Sequence, residues 1–479
     1  VKAYLEPGLV QNSVRVEYEW PSLPLVSIII PTKDKIEFLR PCIDSLLQKT
    51  TYSNYELIIV DNQSEDPDIQ DYFAMLKEHH GEKISLLKYP HPFNYAAISN
   101  LAAKASKGDY LLFLNNDTEV LHAEWLERMI RHAQRPEVGI VGARLVFPET
   151  RVVQHAGVVL GMDTIADHLF WNVLDIQEPG YMDRAHLDQN FSAVTAACLV
   201  IRKSLYEDVG GMDEENLTVY YNDVDLCLNV REKEYLVTWT PFAVLVHHGS
   251  VSQKSEFASR ADETTQRIMN ERSFMLKKWL PQLANDPFYN RNLSLSSREM
   301  QIEAQMPTNW DTNFHDRERI LGLPLPGGSG DYRVIQPFSA LSHAALAQCE
   351  FYRFNQNIPK PIAISEYARI APDSVLFHAA LNDLQLKQLE QLKEFMPDVF
   401  RIYSIDDLLT NVPEQSPAAK EIKRHFADAK SRMRRALERC DRLIVSTQPL
   451  AELCLGMIDD IRVVPNRLPK EPWLSVTSL

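Results

Sequence analysis

Leu111–Val120 reads LLFLNNDTEV, and the fold turns on how this stretch is read. Four apolar residues in a row, Leu111 to Leu114, make a buried strand. The strand stops at Asn115-Asn116-Asp117, and a helical pattern starts at about Ala123. In an open α/β sheet, ligands gather where strands stop at their carboxyl ends. A lone carboxylate there, Asp117, suits a divalent ion held against a phosphate. Taken alone, the same residues also read as a polar turn after a core strand, so the neighbouring text has to decide.

Upstream, the pattern repeats. Val26-Ser27-Ile28-Ile29-Ile30 is a β-branched strand closed by Pro31-Thr32-Lys33-Asp34, and helical spacing follows at Phe38, Leu39, Ile43, Leu46 and Leu47. A second strand, Leu57-Ile58-Ile59-Val60, ends at Asp61-Asn62-Gln63-Ser64 and leads to a helix over about 68–80. A short strand near 84–88, then His91-Pro92-Phe93-Asn94-Tyr95, precede a helix of small residues ending near Ala105. Strands alternating with helices of this length predict a parallel, doubly wound sheet. Asp34, Asp61 and Asp117 then share one edge and one crevice.

Downstream of a helix at Trp125–Ala133, shorter strands and loops run through 139–142 and 154–159. Ser192–Ile201, rich in small residues, reads as one long buried strand, and Gly210-Gly211 as a tight turn. Tyr220–Leu228 reads as a helix start, where the helix dipole favours the acidic Asp223 and Asp225. Residues two apart do not share a helix face, so these aspartates are expected to do different work. After Leu236–Trp239 and Pro241, the strand Val244-Leu245-Val246 delivers His247-His248. Residues 255–284 form an amphipathic helix containing Ile268, Met269, Leu276, Trp279 and Leu280. The irregular text of 285–330, ending in PLPGGSG, reads as a linker.

A second α/β unit is expected over 331–479, with strands at Val334-Ile335, Val375–His378, Ile402–Ile405, Leu443–Val445 and Ile461–Val464, and helices at about 381–395 and 417–439. The second of these helices is capped by Ser416-Pro417 and studded with Lys420, Lys423, Arg424, Lys430, Arg432, Arg434, Arg435 and Arg439. That basic face is either simply solvated or in contact with an anionic membrane surface.

Composition narrows the class. At 479 residues the chain holds two or three domains. Its hydrophobic share of 45% and charged share of 24% are those of an ordinary globular protein, and a net charge of -15 argues against a nucleic-acid partner. Six scattered cysteines without a CxxC pair argue against structural zinc or a disulfide framework and suit a reducing compartment. No apolar run is long enough to span a membrane. The chain starts without Met, which suggests a piece of a longer protein.

The set VSIIIPTKD, ELIIVDNQSED, HPFNYAAISN, LLFLNNDTEV, SAVTAACLVIRKSLYEDVGGMDE, YNDVDLCL and VHHGSVS, in this order, resembles the inverting family 2 glycosyltransferases over residues 25–255. Within that family it is similar to bacterial enzymes that build O-antigen and related surface polysaccharides. The resemblance implies an α/β GT-A nucleotide-diphospho-sugar transferase fold over 25–284, after a lead-in of 1–24. Arg401–Leu409 (RIYSIDDLL) and Val463-Val464-Pro465-Asn466 look like the N-terminal Rossmann-like half of a GT-B glycosyltransferase, which would make 331–479 an acceptor-binding or docking module.

Carried over by position, the resemblance assigns Thr32, Asp34, Asp61, Asn94, Asn100 and Asn116 to nucleotide binding, Asp117 and His247 to a divalent metal (Mn2+ or Mg2+), Asp223 to the catalytic base, and Asp225 to an acceptor-side or supporting place. The metal motif departs from the family pattern, since Asn115 stands where its first carboxylate would be. Each assignment has a plainer rival. Asp223 also suits a helix cap, His247 a core histidine with His248 as its substitute, and Asp61 a turn. His155, in QHAG, is at most a pocket wall. The expected partners are a nucleotide-sugar donor and a glycan or lipid-linked acceptor, with the protein cytoplasmic and peripheral at the inner membrane face. Two other classes compete: a nucleotide- or glycan-binding scaffold with a degenerate site, which Asn115 favours, and a nucleotidyltransferase. The latter wants a Gly-rich basic phosphate loop, where PTKD offers only Lys33.

Overall fold

The computed structural model describes residues 2–20, 22–249, 261–304, 306, 316–352, 361–379, 382–407 and 428–467. They fall into two compact units, Val1–Ile302 and Glu303–Leu479.

In the first unit the elements run β1 (Lys2–Pro7), β2 (Val14–Glu19), β3 (Val26–Thr32), α1 (Ile36–Lys49), β4 (Tyr55–Asp61), α2 (Pro67–His80), β5 (Ile84–Lys88), α3 (Tyr95–Ala105), β6 (Tyr110–Leu114), β7 (Thr118–Val120) and α4 (Trp125–Ala133). They continue with β8 (Val138–Val146), β9 (Val153–His155), β10 (Val158–Leu160), β11 (Ala166–His168), β12 (Gln189–Phe191), β13 (Cys198–Arg202), α5 (Lys203–Asp208), α6 (Asn222–Glu232), β14 (Leu236–His247) and α7 (Ala261–Ala284).

The main sheet has the order β12-β14-β8-β13-β6-β3-β4-β5, with β7 on β14 and β9 on β8. Its β6-β3-β4-β5 half is parallel, as the alternating pattern predicts, and every residue of β3 and β6 is buried. The other half departs from that expectation. β13 enters antiparallel between β6 and β8, because the chain reaches it through a long irregular excursion rather than a crossover helix. The sheet is therefore mixed.

Three further expectations are corrected. Ser192–Ile201 is not one strand: the ladder with β6 starts at Cys198, with the Ala197 carbonyl accepting the Asn115 N–H at its edge, while Ala193 makes an isolated bridge to Val158 and the Ala196 N–H goes to Asp223. The lead-in of 1–24, for which no elements were expected, carries two strands. β1 and β2 form an antiparallel hairpin, and Glu17 binds Arg128 and Arg131 of α4 while Trp20 Nε1 donates to the Arg131 carbonyl at 2.8 Å. On α7, Met269 is 53% exposed, whereas Met275 and Trp279 carry the buried face. The start of the expected helix, 255–260, lies outside the described residues.

The second unit contains β15 (Arg319–Leu323), α8 (Gln336–His343), β16 (Gln348–Phe351), α9 (Ile364–Ile370), β17 (Ser374–His378), α10 (Asp383–Phe395), β18 (Phe400–Ile405), α11 (Ala429–Leu437), β19 (Arg442–Val445), α12 (Gln448–Leu453) and β20 (Ile461–Val463). All six strands are parallel, in the order β16-β15-β17-β18-β19-β20. The expected linker of 285–330 is thus divided. Its first part, to Ile302, belongs to the first unit, and RILGL supplies β15, a short apolar run hidden among turn residues. Val334-Ile335, expected as a strand, is helical: the Gly328–Gly330 turn leads without a break through 331–335 into α8. Of the basic helix expected at about 417–439, residues 417–427 lie outside the described residues. In the rest, Arg432 pairs with Asp428 and Asp383, and Arg439 with Glu390. Among the described residues no helix is long and apolar enough to cross a membrane, and all six cysteines are free thiols.

Candidate functional site

The carboxyl ends of β3, β4 and β6 lie side by side, since β3 pairs in parallel with both neighbours. Asn116 Nδ2 donates to Thr32 Oγ1 at 3.0 Å, which joins the loop after β6 to the end of β3. Asp34, in the left-handed region at φ 51°, accepts the Glu65 and Asp66 backbone N–H groups on Oδ1 at 2.8 and 3.0 Å. Asp61 Oδ1 accepts the Ser64 N–H at 2.9 Å. Thr32, Asp34, Asp61 and Asn116 are therefore gathered on one edge, where the carboxylates also shape the loop between β4 and α2.

The other two asparagines assigned to the nucleotide pocket have structural posts. Asn94 caps α3, accepting the Ala97 N–H at 2.9 Å, and donates to the Glu214 carbonyl at 2.9 Å. Asn100 donates to the Met212 carbonyl at 2.9 Å and to Glu214 Oε2 at 2.8 Å, while its Oδ1 accepts from Tyr206 Oη at 2.6 Å and the Met212 N–H at 3.1 Å. That uses both donors and both acceptor positions of the amide. Gly211 makes this approach feasible: it has φ 76°, and a Cβ there would stand 2.5 Å from Asn100 Oδ1.

The metal candidates meet because β7 pairs antiparallel with the end of β14, setting Thr118 opposite His247. Asp117 Oδ1 lies 3.0 Å from His247 Nε2. On the other side of the ring, Nδ1 bonds to Gln154 Oε1, and Gln154 Nε2 donates to the His247 carbonyl at 3.2 Å. A metal-ligating histidine is commonly oriented in this way by a partner on its second nitrogen. Burial alone would raise the Asp117 carboxyl, but the adjacent His247 outweighs it and holds the group below the usual carboxylate range. Among the described residues no cluster of three or more His, Cys, Asp or Glu could cage a metal ion. The pair fits a cation that takes two protein ligands and completes its shell from a diphosphate and water. Asn115 contributes an amide, with Nδ2 3.3 Å from His247 Nε2. His248 is turned away, its Nε2 2.7 Å from Glu119 Oε1.

Asp223 approaches the same loop from the other side. Its Oδ2 accepts the Ala196 N–H at 3.0 Å and its Oδ1 the Val224 N–H at 2.8 Å. The next carbonyl, Ala197, accepts the Asn115 N–H at 3.1 Å. Residues 196–197 thus bridge the Asp223 carboxylate and the end of β6. Asp225 is 1% exposed and faces α7, where its Oδ1 accepts from Lys278 Nζ at 2.7 Å and Trp279 Nε1 at 2.6 Å, and its Oδ2 from Asn229 at 2.9 Å. The two aspartates therefore face different partners.

Two features had little or no voice in the sequence. Glu271 of α7, 2% exposed, accepts the backbone N–H groups of Thr218, Val219 and Tyr220 and so fixes the turn leading into α6. Its signal was an acid in step with Met275 and Trp279 on the buried face. His155 is wholly buried, its Nδ1 2.9 Å from His168 Nδ1. Burial lowers the pKa of both, and the pair adjoins the crevice because His155 directly follows Gln154, the partner of His247.

The sequence model of Glycosyl transferase family 2 matches residues 27–210. The chain is 41% identical over 297 residues to the uncharacterized protein y4gI of Sinorhizobium fredii, covering 62% of this chain and 32% of that one. It is 39% identical over 285 residues to the O-antigen biosynthesis protein RfbC of Myxococcus xanthus, covering 60% and 21%. The chain therefore spans a third or less of the length of these relatives. Among solved structures, a mannosyltransferase of Pyrobaculum calidifontis in complex with GDP-Man and Mn2+ aligns with a TM-score of 0.36 and 17% identity, covering 51% of this chain and 60% of that one. Residues 27–210 thus match the Glycosyl transferase family 2 model, and the unit that carries them has a GT-A-like mixed α/β fold.

Proposed function

We propose that the first unit moves a sugar from a nucleotide-sugar donor to a hydroxyl of a glycan or lipid-linked acceptor, with inversion, in the assembly of a surface polysaccharide. The observation that carries this reading is the Asp117–His247 pair, 3.0 Å apart and oriented by Gln154, on the same loop system as Asp223. Asp117 and His247 would hold Mn2+ or Mg2+, which supplies Lewis-acid neutralisation of the leaving diphosphate.

The chain's own groups do the rest. Thr32, Asp34, Asp61 and Asn116 form the edge that receives the nucleoside. Asp223 takes the proton from the acceptor hydroxyl as it attacks the anomeric carbon, and its two N–H donors keep the carboxylate aimed. Direct displacement inverts the anomeric centre without a covalent intermediate. Asp225 and Glu271 act at one remove by fixing α6. The second unit is assigned to acceptor binding or docking, as the half of a GT-B fold it was likened to, and the protein to the inner membrane face, where a lipid-linked acceptor is met.

A positioned base contributes roughly 10²–10⁴-fold, so Asp223→Asn should lose transfer by that factor while calorimetry shows donor binding retained. Full turnover in Asp223→Asn would remove the base assignment. The donor is found by screening UDP-, dTDP- and GDP-sugars with Mn2+ for thermal stabilisation. Asn115 favours one other reading, a degenerate binding scaffold. Donor affinity that ignores Mn2+, with no turnover on any acceptor, would select it.

A further inference from the structure

Arg144 lies in β8 opposite Val244 of β14 and is only 2% exposed, yet its Nε and Nη2 atoms have no hydrogen-bond partner in the protein. Buried charges are ordinarily paired. Three more groups that carry or can take up positive charge surround it, each from a different segment. Arg151, in the turn before β9, has a buried Nη1 without a partner. His186 bonds through Nε2 to the Ile176 carbonyl at 3.1 Å, but its buried Nδ1 has no partner. His122 follows β7.

Backbone contacts bring these segments together: the Val244 carbonyl, opposite Arg144, accepts the Leu121 N–H beside His122 at 3.4 Å, Ile176 donates its N–H to the Arg151 carbonyl at 3.1 Å and accepts from His186, and Leu121 and Ile176 pack against the same Val146 and Val244. Burial lowers the pKa of His122 and the charges of Arg151 and Arg144 lower it further; burial and Arg144 do the same to His186. Burial brings the Arg144 guanidinium down to about 10, with Asp175 opposing. Asp175 forms no hydrogen bond with Arg144. Its Oδ1 instead accepts the Gln177 N–H at 2.9 Å.

We propose that Arg144, Arg151, His122 and His186 form a binding site for a phosphate-type oxyanion, separate from the crevice of Asp117 and His247. The unpartnered Nε and Nη2 edge of Arg144 and the Arg151 Nη1, joined by His122 and His186 when a bound anion favours their protonated forms, offer more donors than a planar carboxylate, which one guanidinium edge can satisfy, and so suit a tetrahedral oxyanion. The ligand is either free phosphate or the phosphate group of a larger molecule.

Calorimetry on the full chain tests the proposal, with inorganic phosphate and glucose 1-phosphate as probes against a chloride buffer of matched ionic strength. One phosphate should bind per chain. Loss of a charge-assisted hydrogen bond weakens binding by about 10–100-fold, the drop expected for Arg151→Gln, and Arg144→Gln should abolish binding. Asp175→Asn should tighten it by removing the competing charge. Binding of inorganic phosphate alone assigns the site to the free anion, and binding of both probes assigns it to a phosphate group of a larger molecule. Arg151→Gln keeps the test decisive if Arg144→Gln does not fold. The proposal is overturned if phosphate gives no heat beyond the chloride control, if Arg151→Gln binds it as well as the parent, or if Asp175→Asn unfolds the chain, which would make Asp175 the partner of Arg144.

Discussion

Replacing Asp225 by Asn separates the two aspartates of α6 by experiment. The substitution keeps the volume but removes the charge from an oxygen that accepts from Lys278 Nζ and Trp279 Nε1 at 2.7 and 2.6 Å. Hydrogen bonds to a charged group contribute about 1.5–3 kcal/mol each. The Lys278 side chain is 34% exposed and recovers part of its loss in water, whereas the Trp279 N–H, on a residue 2% exposed, does not. A net cost of about 3 kcal/mol follows. For a unit of this size about 2–4 °C is lost per kcal/mol, so Tm should fall by about 6–12 °C. Transfer assayed well below the new Tm should stay within a few-fold of the parent. Asp223→Asn should do the reverse, removing turnover while lowering Tm by less than Asp225→Asn, since it gives up one of two accepted backbone N–H bonds and no buried ion pair. An Asp225→Asn protein with an unchanged Tm and no activity would refute the division of labour.

Gln154→Leu should leave His247 in place but free to rotate. Mn2+ affinity in the presence of a nucleoside diphosphate is then expected to fall by about 10–100-fold, read by titration calorimetry; an unchanged affinity would deny Gln154 its orienting role. Gly211→Ala meets both a left-handed backbone and a Cβ contact 2.5 Å from Asn100 Oδ1, whereas Gly210→Ala, at φ 86°, meets nothing within 4 Å. Denaturant unfolding should show Gly210→Ala costing about 1–2 kcal/mol from strain alone and Gly211→Ala costing clearly more. The buried His155 has its imidazole pKa held well below the ordinary value by burial. The unfolded chain therefore binds a proton that the folded one refuses, and stability falls as pH drops below about 6.5. His155→Gln should flatten that dependence between pH 6 and 5 by up to about 1.4 kcal/mol per pH unit, as followed by urea unfolding at each pH.

The parallel half of the sheet could be read from the text because β3, β4 and β6 are runs of apolar residues that end on or just before Thr, Asp or Asn, and burial on both faces leaves no other use for such runs. The same rule misled at Ser192–Ile201. Ala193, Val194, Ala196 and Ala197 extend the apolar run, but the Ala193 carbonyl accepts from Val158 and the Ala196 N–H goes to Asp223, so the ladder with β6 runs only from the Ala197 carbonyl onward. Spacing along the chain separated Asp223 from Asp225, since a helix points them apart. It could not show what Asn94 and Asn100 would face, because their partners, Met212 and Glu214, come from a loop more than a hundred residues later. Arg144 was equally silent: within GARLVF it reads as one polar residue in a strand, and only the packing of β8 reveals its burial.

The attachment of α6 to α7 bears on how this protein should be trimmed for experiments. The family match ends at residue 210, ahead of Asp223, His247 and the whole of α7. A cloning boundary drawn there would discard the proposed base, and one drawn just after His248 would keep the base but strip away Glu271, Lys278 and Trp279, which hold its helix. The shortest fragment worth expressing runs through Ile302, since Asp286 and Arg298 are bonded into the same unit, and the hairpin clasped to α4 by Glu17 argues for starting it at the first residue.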